Sequence, residues 1–154
     1  MEALLLAVGR LRPYFREACD DYIRRINRYL KVRDAEVREA SRAPNEEAQR
    51  AEEAERLRRH LRPGTTVVAL ARAGEPWSSE ELARRLERWR IEARPLAFVI
   101  GGSRGLASDF IAGSAHRWSL GPLTLPHELA RVVVAEQLYR GMTILRGEPY
   151  HKGS

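Results

Sequence analysis

Residues Pro95–Gly102 of this 154-residue chain read PLAFVIGG and give the clearest indication of its fold. Its apolar part, Pro95–Ile100, is continuous, which is typical of a strand buried on both faces of a parallel sheet. Gly101 and Gly102 follow at once, and glycine lets a ligand approach the backbone closely, although tight turns use the same residues. The stretch therefore predicts a central strand whose carboxyl end borders a candidate ligand site.

Further strands and helices alternate on both sides of this stretch. The strands are predicted at Glu2–Val8, Val32–Ala40, Thr65–Ala71, Pro95–Ile100 and Trp118–Leu120, and the helices at Pro13–Leu30, Glu46–Arg62, a segment capped by Ser78, Ser108–Ser114 and Pro126–Arg146. A turn is predicted at Gly74–Trp77, and Pro126 as the first helical residue. The alternation predicts one α/β domain over residues 1–154, with a mostly parallel sheet and helices on both faces.

Ligands of such sheets gather beyond the carboxyl ends of the strands. The loops after Leu70, Ile100 and Leu120 are therefore predicted to surround the site. The net charge of +6 and the pI of about 10.1 favour a polyanionic partner. Of the 27 basic residues all but Lys31 and Lys152 are arginine, which also fits genome composition and solvated helix faces.

Several classes of site are excluded by missing motifs. The glycine loop lacks the lysine of a phosphate-binding Walker loop and the spacing of a dinucleotide fingerprint, and no serine hydrolase elbow occurs. The histidines show no spacing typical of metal ligands, so no metal is expected. They are His60, His116, His127 and His151. Glu136 is interpreted as a structural carboxylate paired with Arg140, four residues along a helix.

No stretch is long and apolar enough to cross a membrane, and the acidic start is unlike an export signal. The single cysteine, Cys19, lies in an amphipathic helical pattern and is expected to be a buried thiol. A cytoplasmic location is the default expectation. The last residues, Gly153 and Ser154, fit either a cloning remnant or a native terminus.

Several segments resemble the SPOUT methyltransferases, and most closely the ribosomal RNA large subunit methyltransferase H family. The matching stretches are Leu5–Gly9, Glu75–Trp77, Phe98–Gly102, Trp118–His127, Arg131–Arg140 and Pro149–Lys152. The resemblance runs the whole chain. Its most specific part is the C-terminal run, whereas Ser41–Arg62 matches only in character.

This resemblance implies a C-terminal trefoil knot that forms the cofactor pocket, and a homodimer that completes the active site across its interface. It implies transfer of a methyl group from S-adenosylmethionine to N3 of a pseudouridine in large-subunit ribosomal RNA, with the assembled ribosome as the expected substrate. By position, the cofactor contacts fall at Leu70, Gly101, Leu120, Gly121, Pro122, Leu123, Thr124 and Leu125. Ordinary core packing is the alternative for the leucines.

The tail is expected to supply the catalytic groups and to lie near the pocket. His151 is the candidate that handles the N3 proton, as a base or as a group that positions RNA. Tyr150 is expected to stack on the target base, and Lys152 and Arg140 to bind phosphate or a developing uracil anion. His127 follows as a helix-start residue or a second candidate, and Arg104 as an RNA contact.

Alternative functions remain at this point. One is a non-catalytic RNA- or ribosome-binding factor that kept the fold, and another is a SPOUT methyltransferase acting on tRNA. A plain nucleotide-binding α/β protein is a third, which the missing phosphate-loop motifs disfavour.

Overall fold

The computed structural model describes residues 1–152, and the prediction about Gly153-Ser154 lies outside them. The strands are β1 (Glu2–Val8), β2 (Lys31–Val37), β3 (Thr66–Glu75), β4 (Leu96–Ile100) and β5 (His116–Trp118). The helices are α1 (Pro13–Ile26), α2 (Glu46–Arg58), α3 (Ser79–Glu92), α4 (Ser108–Gly113) and α5 (His127–Leu145). The strands form one five-stranded sheet in the order β2-β1-β4-β3-β5, with every pairing parallel.

Strand β4 lies at the centre of this sheet, as its apolar run predicted. It pairs with β1 on one side and with β3 on the other. All of its residues are buried, and Phe98 is wholly inaccessible. Burial of a continuous apolar strand stabilises the sheet from both faces, since each side chain leaves water on folding.

Helices cover both faces of the sheet, which confirms the predicted layers. Leu5 and Phe98 point to a core shared with α1, α3 and α5, through residues such as Leu86. Leu6 and Val99 point to the opposite core, which α2 and α4 complete. Neighbouring residues of one strand alternate between the cores because side chains alternate across a sheet.

The predicted ends of strands β3 and β5 are wrong. Strand β3 continues to Glu75 through an irregular register, so Gly74 belongs to a strand and not to a turn. A Cβ atom at Gly74 would lie 2.6 Å from the Arg117 carbonyl carbon, so this close strand approach requires glycine. Strand β5 ends at Trp118, because Ser119 turns the chain: its amide donates to the Glu75 carbonyl (2.9 Å) and its hydroxyl accepts from the Gly121 amide (3.1 Å).

Helix α1 and the start of β2 also differ from prediction. The helix ends at Ile26 and not at Leu30. The Asn27 side chain donates to the Ile23 carbonyl (2.8 Å) and accepts from the Val32 amide (3.1 Å), which ends the helix and fixes the start of the strand.

Two further ends are shorter than predicted. Strand β2 stops at Val37, because the amide of Ala40 donates to the buried carboxylate of Glu53 (2.9 Å) and not to β1. Helix α2 ends at Arg58 in a tight final turn, where the His60 amide donates to Leu57 and the Leu61 amide to Arg58.

The remaining local expectations are confirmed at α3 and α1. Ser78 caps α3 by accepting a hydrogen bond from the Glu81 amide at 3.1 Å. Cys19 is buried in α1, and burial raises the pKa of its thiol to about 11. Among residues 1–152, no helix has the length and hydropathy needed to cross a bilayer.

Candidate active site

A pocket of about 700 Å³ opens at the carboxyl edge of the sheet. It is lined by β3 at Leu70 and by the segments that follow β4 and β5, together with the first turn of α5. The three loops singled out from the sequence therefore meet, although the last begins at Ser119. Of the residues predicted to contact a cofactor, Leu70, Gly101, Leu120, Gly121, Leu123, Thr124 and Leu125 line the pocket, and Pro122 does not.

The glycine loop contributes backbone and almost no side chain to this pocket. A Cβ atom on Gly101 would lie 2.6 Å from the carbonyl carbon of Gly105, and one on Gly102 would lie 2.9 Å from Val8 Cγ1. The Gly105 amide donates to the Gly102 carbonyl at 3.0 Å, which closes the loop. This tight turn needs glycine at both positions, and it leaves peptide groups at the pocket wall.

The third loop, residues 119–126, supplies apolar side chains. Leu123 is 76% exposed and Leu125 is half-buried, so core packing does not account for either. Leu120 is partly buried and packs against the core, so both explanations apply there. Gly121 adopts a φ of +111°, a conformation that L side chains rarely take, and this turns the loop into the pocket.

Long-range ion pairs hold the first turns of α5 beside the pocket. The Glu128 carboxylate accepts hydrogen bonds from the Arg12 amide (2.6 Å) and the Arg12 Nε (2.9 Å). The bond from the Arg12 backbone is the main reason that the pKa of Glu128 lies below its ordinary value. Arg131, only 3% exposed, donates to the Gly9 carbonyl (3.1 Å) and to Glu36 (2.8 Å).

Sequence reasoning missed both pairs. Their partners lie far apart along the chain, so no spacing rule connects them. The available signal was a charged residue on the buried face of an otherwise apolar helix, because such a group must find a partner. The helix itself begins at His127, one residue later than predicted. Pro126 is its N-cap residue and not its first helical residue.

A second cluster forms where the tail returns to the last turns of α5. Glu136 lies at its centre and pairs with Arg140, as expected, with Oε2 accepting from Arg140 Nη2 at 2.7 Å. The same oxygen accepts from the hydroxyl of Tyr150 at 2.8 Å. The Tyr150 ring stands edge-on to Tyr139, with 4.6 Å between centroids, and lies 4.8 Å from the Arg140 guanidinium. Burial and the bond to Glu136 raise the pKa of Tyr150, so its hydroxyl keeps its proton.

His151 belongs to this tail cluster, which we define as Glu136, Arg140, Tyr150 and His151. Its Nδ1 lies 3.1 Å from Arg140 Nη1. Because a guanidinium only donates, Nδ1 accepts, which leaves the proton of a neutral ring on Nε2. That atom lies 3.7 Å from the carboxylate of Glu80. In this arrangement His151 can donate from Nε2, and its Nδ1 lone pair becomes available for a proton only when Arg140 moves away.

The pocket and the tail cluster lie apart within one chain. None of Arg140, Tyr150, His151 and Lys152 lines the pocket. At a rise of about 1.5 Å per residue, Arg140 lies about 20 Å along α5 from His127, which does line it. The expectation that the tail sits near the pocket is therefore wrong for a single chain. The cause is α5 itself, because its 19 residues separate the two groups.

The remaining histidines, Arg104 and Lys152 either pack against other side chains or lie exposed. Arg104, in the glycine loop, pairs with Glu46 at the start of α2 at 2.9 Å. His116 packs against Trp77 and Trp89, and burial lowers its pKa. His60 is exposed at the end of α2, and Lys152 is exposed in the tail. Within residues 1–152 no cluster of three or more His, Cys, Asp or Glu side chains could hold a metal ion.

Solved structures share this fold. A structure described as a probable methyltransferase from Bordetella pertussis Tohama I matches with a TM-score of 0.56 at 22% identity, over 91% of this chain and 95% of that one. A probable methylase family protein from Haemophilus influenzae Rd KW20 matches with a TM-score of 0.54 at 13% identity, over 99% of this chain and 70% of that one. At these identities the likeness establishes the α/β fold alone.

Sequence comparison identifies the class. A family model described as "Predicted SPOUT methyltransferase" matches residues 1–151, and the chain belongs to that family. A relative from Rubrobacter xylanophilus, named ribosomal RNA large subunit methyltransferase H, is 53% identical over 97% of this chain and 97% of its own. A relative of the same name from Pseudomonas aeruginosa strain PAO1 is 43% identical over 99% and 100%. Within the SPOUT class the chain thus groups with the methyltransferase H proteins, which confirms the resemblance.

Proposed function

We propose that this protein transfers a methyl group from S-adenosylmethionine to N3 of a pseudouridine in large-subunit ribosomal RNA. The proposed enzyme is a cytoplasmic homodimer that acts on the assembled ribosome. The observation that carries the proposal is the convergence of Leu70, Gly101, residues 120–121 and residues 123–125 in one pocket. By position these residues match the cofactor contacts of a methyltransferase family, and they lie far apart in the sequence.

The pocket fits S-adenosylmethionine in size and in chemistry. Its volume of about 700 Å³ lies within the range of roughly 300–1,000 Å³ for small-molecule sites. Leucine side chains offer apolar walls for the adenine ring, and the peptide groups of the glycine loop and of residues 119–126 offer hydrogen bonds to its edges. When bound, S-adenosylmethionine supplies a methyl group on a sulfonium centre that a nucleophilic nitrogen can attack.

The tail cluster supplies groups suited to the nucleobase. The N3 atom of a uracil ring carries a proton that has to leave, and the ring then bears negative charge. Arg140 and the Nε2–H of His151 are donors that would stabilise this anion. Tyr150, held by Glu136, presents a ring for stacking. When the Arg140 guanidinium turns from His151 to a carbonyl oxygen of the uracil ring, Nδ1 is freed to take the N3 proton, and Arg140 then stabilises the anion that forms.

A homodimer would bring the tail cluster to the pocket. Along residues 127–145 of α5, which the structure describes in full, no side chain is fully exposed, yet Leu129, Val132 and Val133 are only half-buried. A second copy covers such an apolar side in an isologous dimer. With the two α5 helices antiparallel about a two-fold axis, the Arg140 end of one helix approaches the His127 end of the other, and each pocket would meet its partner's tail.

The proposal includes the trefoil knot. Strand β5 lies at the edge of the sheet, but α5 packs between α1 and α3 and reaches β4. Residues 119–126 therefore run back from the edge across the carboxyl ends of the strands, past the loop that follows β4. This path supports a threaded C-terminal segment, since it passes where a knot would form the pocket.

The direct test is methyl transfer from labelled S-adenosylmethionine to 70S ribosomes that lack the modification, with free tRNA in a parallel reaction. We expect label in the large-subunit RNA alone, at N3 of one pseudouridine. Label in tRNA would keep the enzyme class and overturn the substrate. Absence of label in both, with S-adenosylmethionine still bound, would favour a non-catalytic ribosome-binding factor.

A further inference from the structure

A second concave surface lies between α1 and α5, separate from the pocket at the sheet edge. This cleft of about 620 Å³ is lined by Asp21, Arg24, Arg25, Arg28 and Tyr139. We call it the α1–α5 cleft. Three guanidinium groups face a single carboxylate, so the cleft carries an excess of positive charge that no residue role described above uses.

The guanidinium groups differ in how much they are already engaged. Arg25 pairs with Asp21 at 3.1 Å and lies 5.7 Å from the centre of the Tyr139 ring, so it belongs to the wall. Arg24 meets Asp21 only at 3.4 Å, and 72% of its side chain is exposed. Arg28 is exposed and forms no ion pair within residues 1–152. Arg24 and Arg28 are therefore the groups available to a ligand.

The chemistry of the cleft suits phosphodiester groups. Guanidinium presents parallel N–H donors that match two phosphate oxygens, and it loses less hydration than ammonium when it binds. Arg24 lies in the last turn of α1 and Arg28 in the turn that follows it. Both line the cleft, so they can engage neighbouring phosphates.

The position of the cleft indicates which phosphate groups it binds. Tyr139 forms a wall of the cleft and also packs against Tyr150 of the tail cluster. A nucleobase that stacks on Tyr150 would therefore carry its own backbone past Arg24 and Arg28. We infer that the α1–α5 cleft binds the phosphates of the ribosomal RNA strand beside the target nucleotide. This inference rests on the proposed function.

The test compares two double variants that remove equal charge. Arg24→Ala with Arg28→Ala empties the cleft and leaves Arg25 packed on Tyr139. The control, Arg84→Ala with Arg88→Ala, removes an exposed pair of the same spacing on α3, which forms no ion pair within residues 1–152. For each protein, KM for unmodified ribosomes, kcat, affinity for S-adenosylmethionine and subunit number are measured, along with direct binding of large-subunit RNA at several salt concentrations.

We expect the cleft variant to raise KM and to weaken RNA binding roughly tenfold or more, and to reduce the slope of log affinity against log salt by about two. Its kcat, cofactor affinity and subunit number should match wild type, and the α3 variant should stay within about twofold of wild type in every readout. Equal losses of RNA affinity in both variants would contradict a specific site and indicate that the overall positive charge binds RNA. A cleft variant that became monomeric would show that the cleft is a subunit interface. Weakened binding to ribosomes with intact binding to free RNA would indicate a ribosomal protein instead.

Failure of the proposed function has a separate signature. A wild-type protein that transfers no methyl group contradicts that function, while the RNA-binding measurements on the same variants still decide the cleft. Unchanged RNA affinity in the cleft variant contradicts the inference, whether or not methyl transfer occurs.

Discussion

The two ends of α5 lie beside groups of different chemical character. At its start, the pocket is built largely from glycine peptides and leucine side chains, with Arg72 and Arg104 also lining it, and internal ion pairs hold the helix beside it. At its end, the tail cluster concentrates a carboxylate, a guanidinium, a phenol and an imidazole within hydrogen-bonding distance. The first arrangement suits a rigid site for a largely apolar ring, and the second suits proton handling and an anion.

This difference predicts that the effect of a substitution depends on which end of α5 it lies near. Changes at the start of α5 should act on cofactor affinity, and changes at its far end should act on turnover. A single substitution that changed both cofactor affinity and turnover would contradict this division.

His151→Ala should give the largest loss. Removing the imidazole deletes the Nε2 donor and the candidate base, so kcat should fall roughly 10²–10⁴-fold, while the affinity for S-adenosylmethionine stays at the wild-type value. Single-turnover methyl transfer and calorimetric cofactor binding measure the two quantities. His60→Ala, at an exposed histidine, is the matched control and should be active. Full activity of His151→Ala would remove His151 from the mechanism.

Gly101→Ala should act on the other end. Its new Cβ would lie 2.6 Å from the Gly105 carbonyl carbon, so the glycine loop has to shift. A displacement near 1 Å costs about 10²-fold in kcat/KM, and here we expect the loss to appear as weaker cofactor binding. Gly113→Ala is the control, since nothing lies within 4 Å of its added Cβ. Unchanged cofactor affinity in Gly101→Ala would mean that the loop is not a cofactor wall.

Glu136→Gln should have a moderate effect on turnover. The amide keeps an acceptor for Tyr150 but loses the charge that holds Arg140, and a hydrogen bond to a charged group contributes about 1.5–3 kcal/mol. We expect kcat to fall by about tenfold, a shifted pH profile, and wild-type cofactor affinity. Glu87→Gln, which breaks an exposed pair with Arg90, is the control. A loss in both variants of the same size would indicate that only helix stability has changed.

The smallest effect concerns pH and Glu128. The folded protein lowers the pKa of this carboxyl from its ordinary 4.5. Its ionised form therefore stabilises the fold at pH values above 4.5, and this contribution is lost as the pH falls through the lowered value. The Tm of wild type should decline between pH 5 and 3 more steeply than that of Glu128→Gln, whereas Glu47→Gln, at an exposed carboxylate, should parallel wild type. Equal slopes for all three proteins would contradict this assignment.

Much of the sheet could be predicted from local pattern. Pro95–Ile100 and Glu2–Val8 are apolar runs that only a doubly covered strand satisfies, and both strands are confirmed to within a residue. The pocket loops followed from strand order alone, because parallel strands end at one edge. The proposed trefoil knot and the proposed chemistry rest on the family resemblance, since periodicity carries no sign of either.

The wrong predictions share a physical cause, which is dependence on tertiary contacts. Gly74 is a typical turn residue, and it extends a strand only because β5 approaches it closely. Trp118 ends its strand because Ser119 bonds across to Glu75. Arg131 reaches Gly9 only after the sheet has formed, and the distance between pocket and tail depends on the length of α5.

The central claim is that each active site combines the pocket of one subunit with the tail of its partner. It is tested most directly by mixing Gly101→Ala and His151→Ala subunits, unfolding and refolding them together in equal amounts, and measuring methyl transfer to unmodified ribosomes. The account predicts recovery to about a quarter of wild-type activity, because half of the dimers are mixed and each holds one site free of both substitutions. Activity of the mixture no higher than the mean of the two separate variants would contradict the account and return pocket and tail to one subunit.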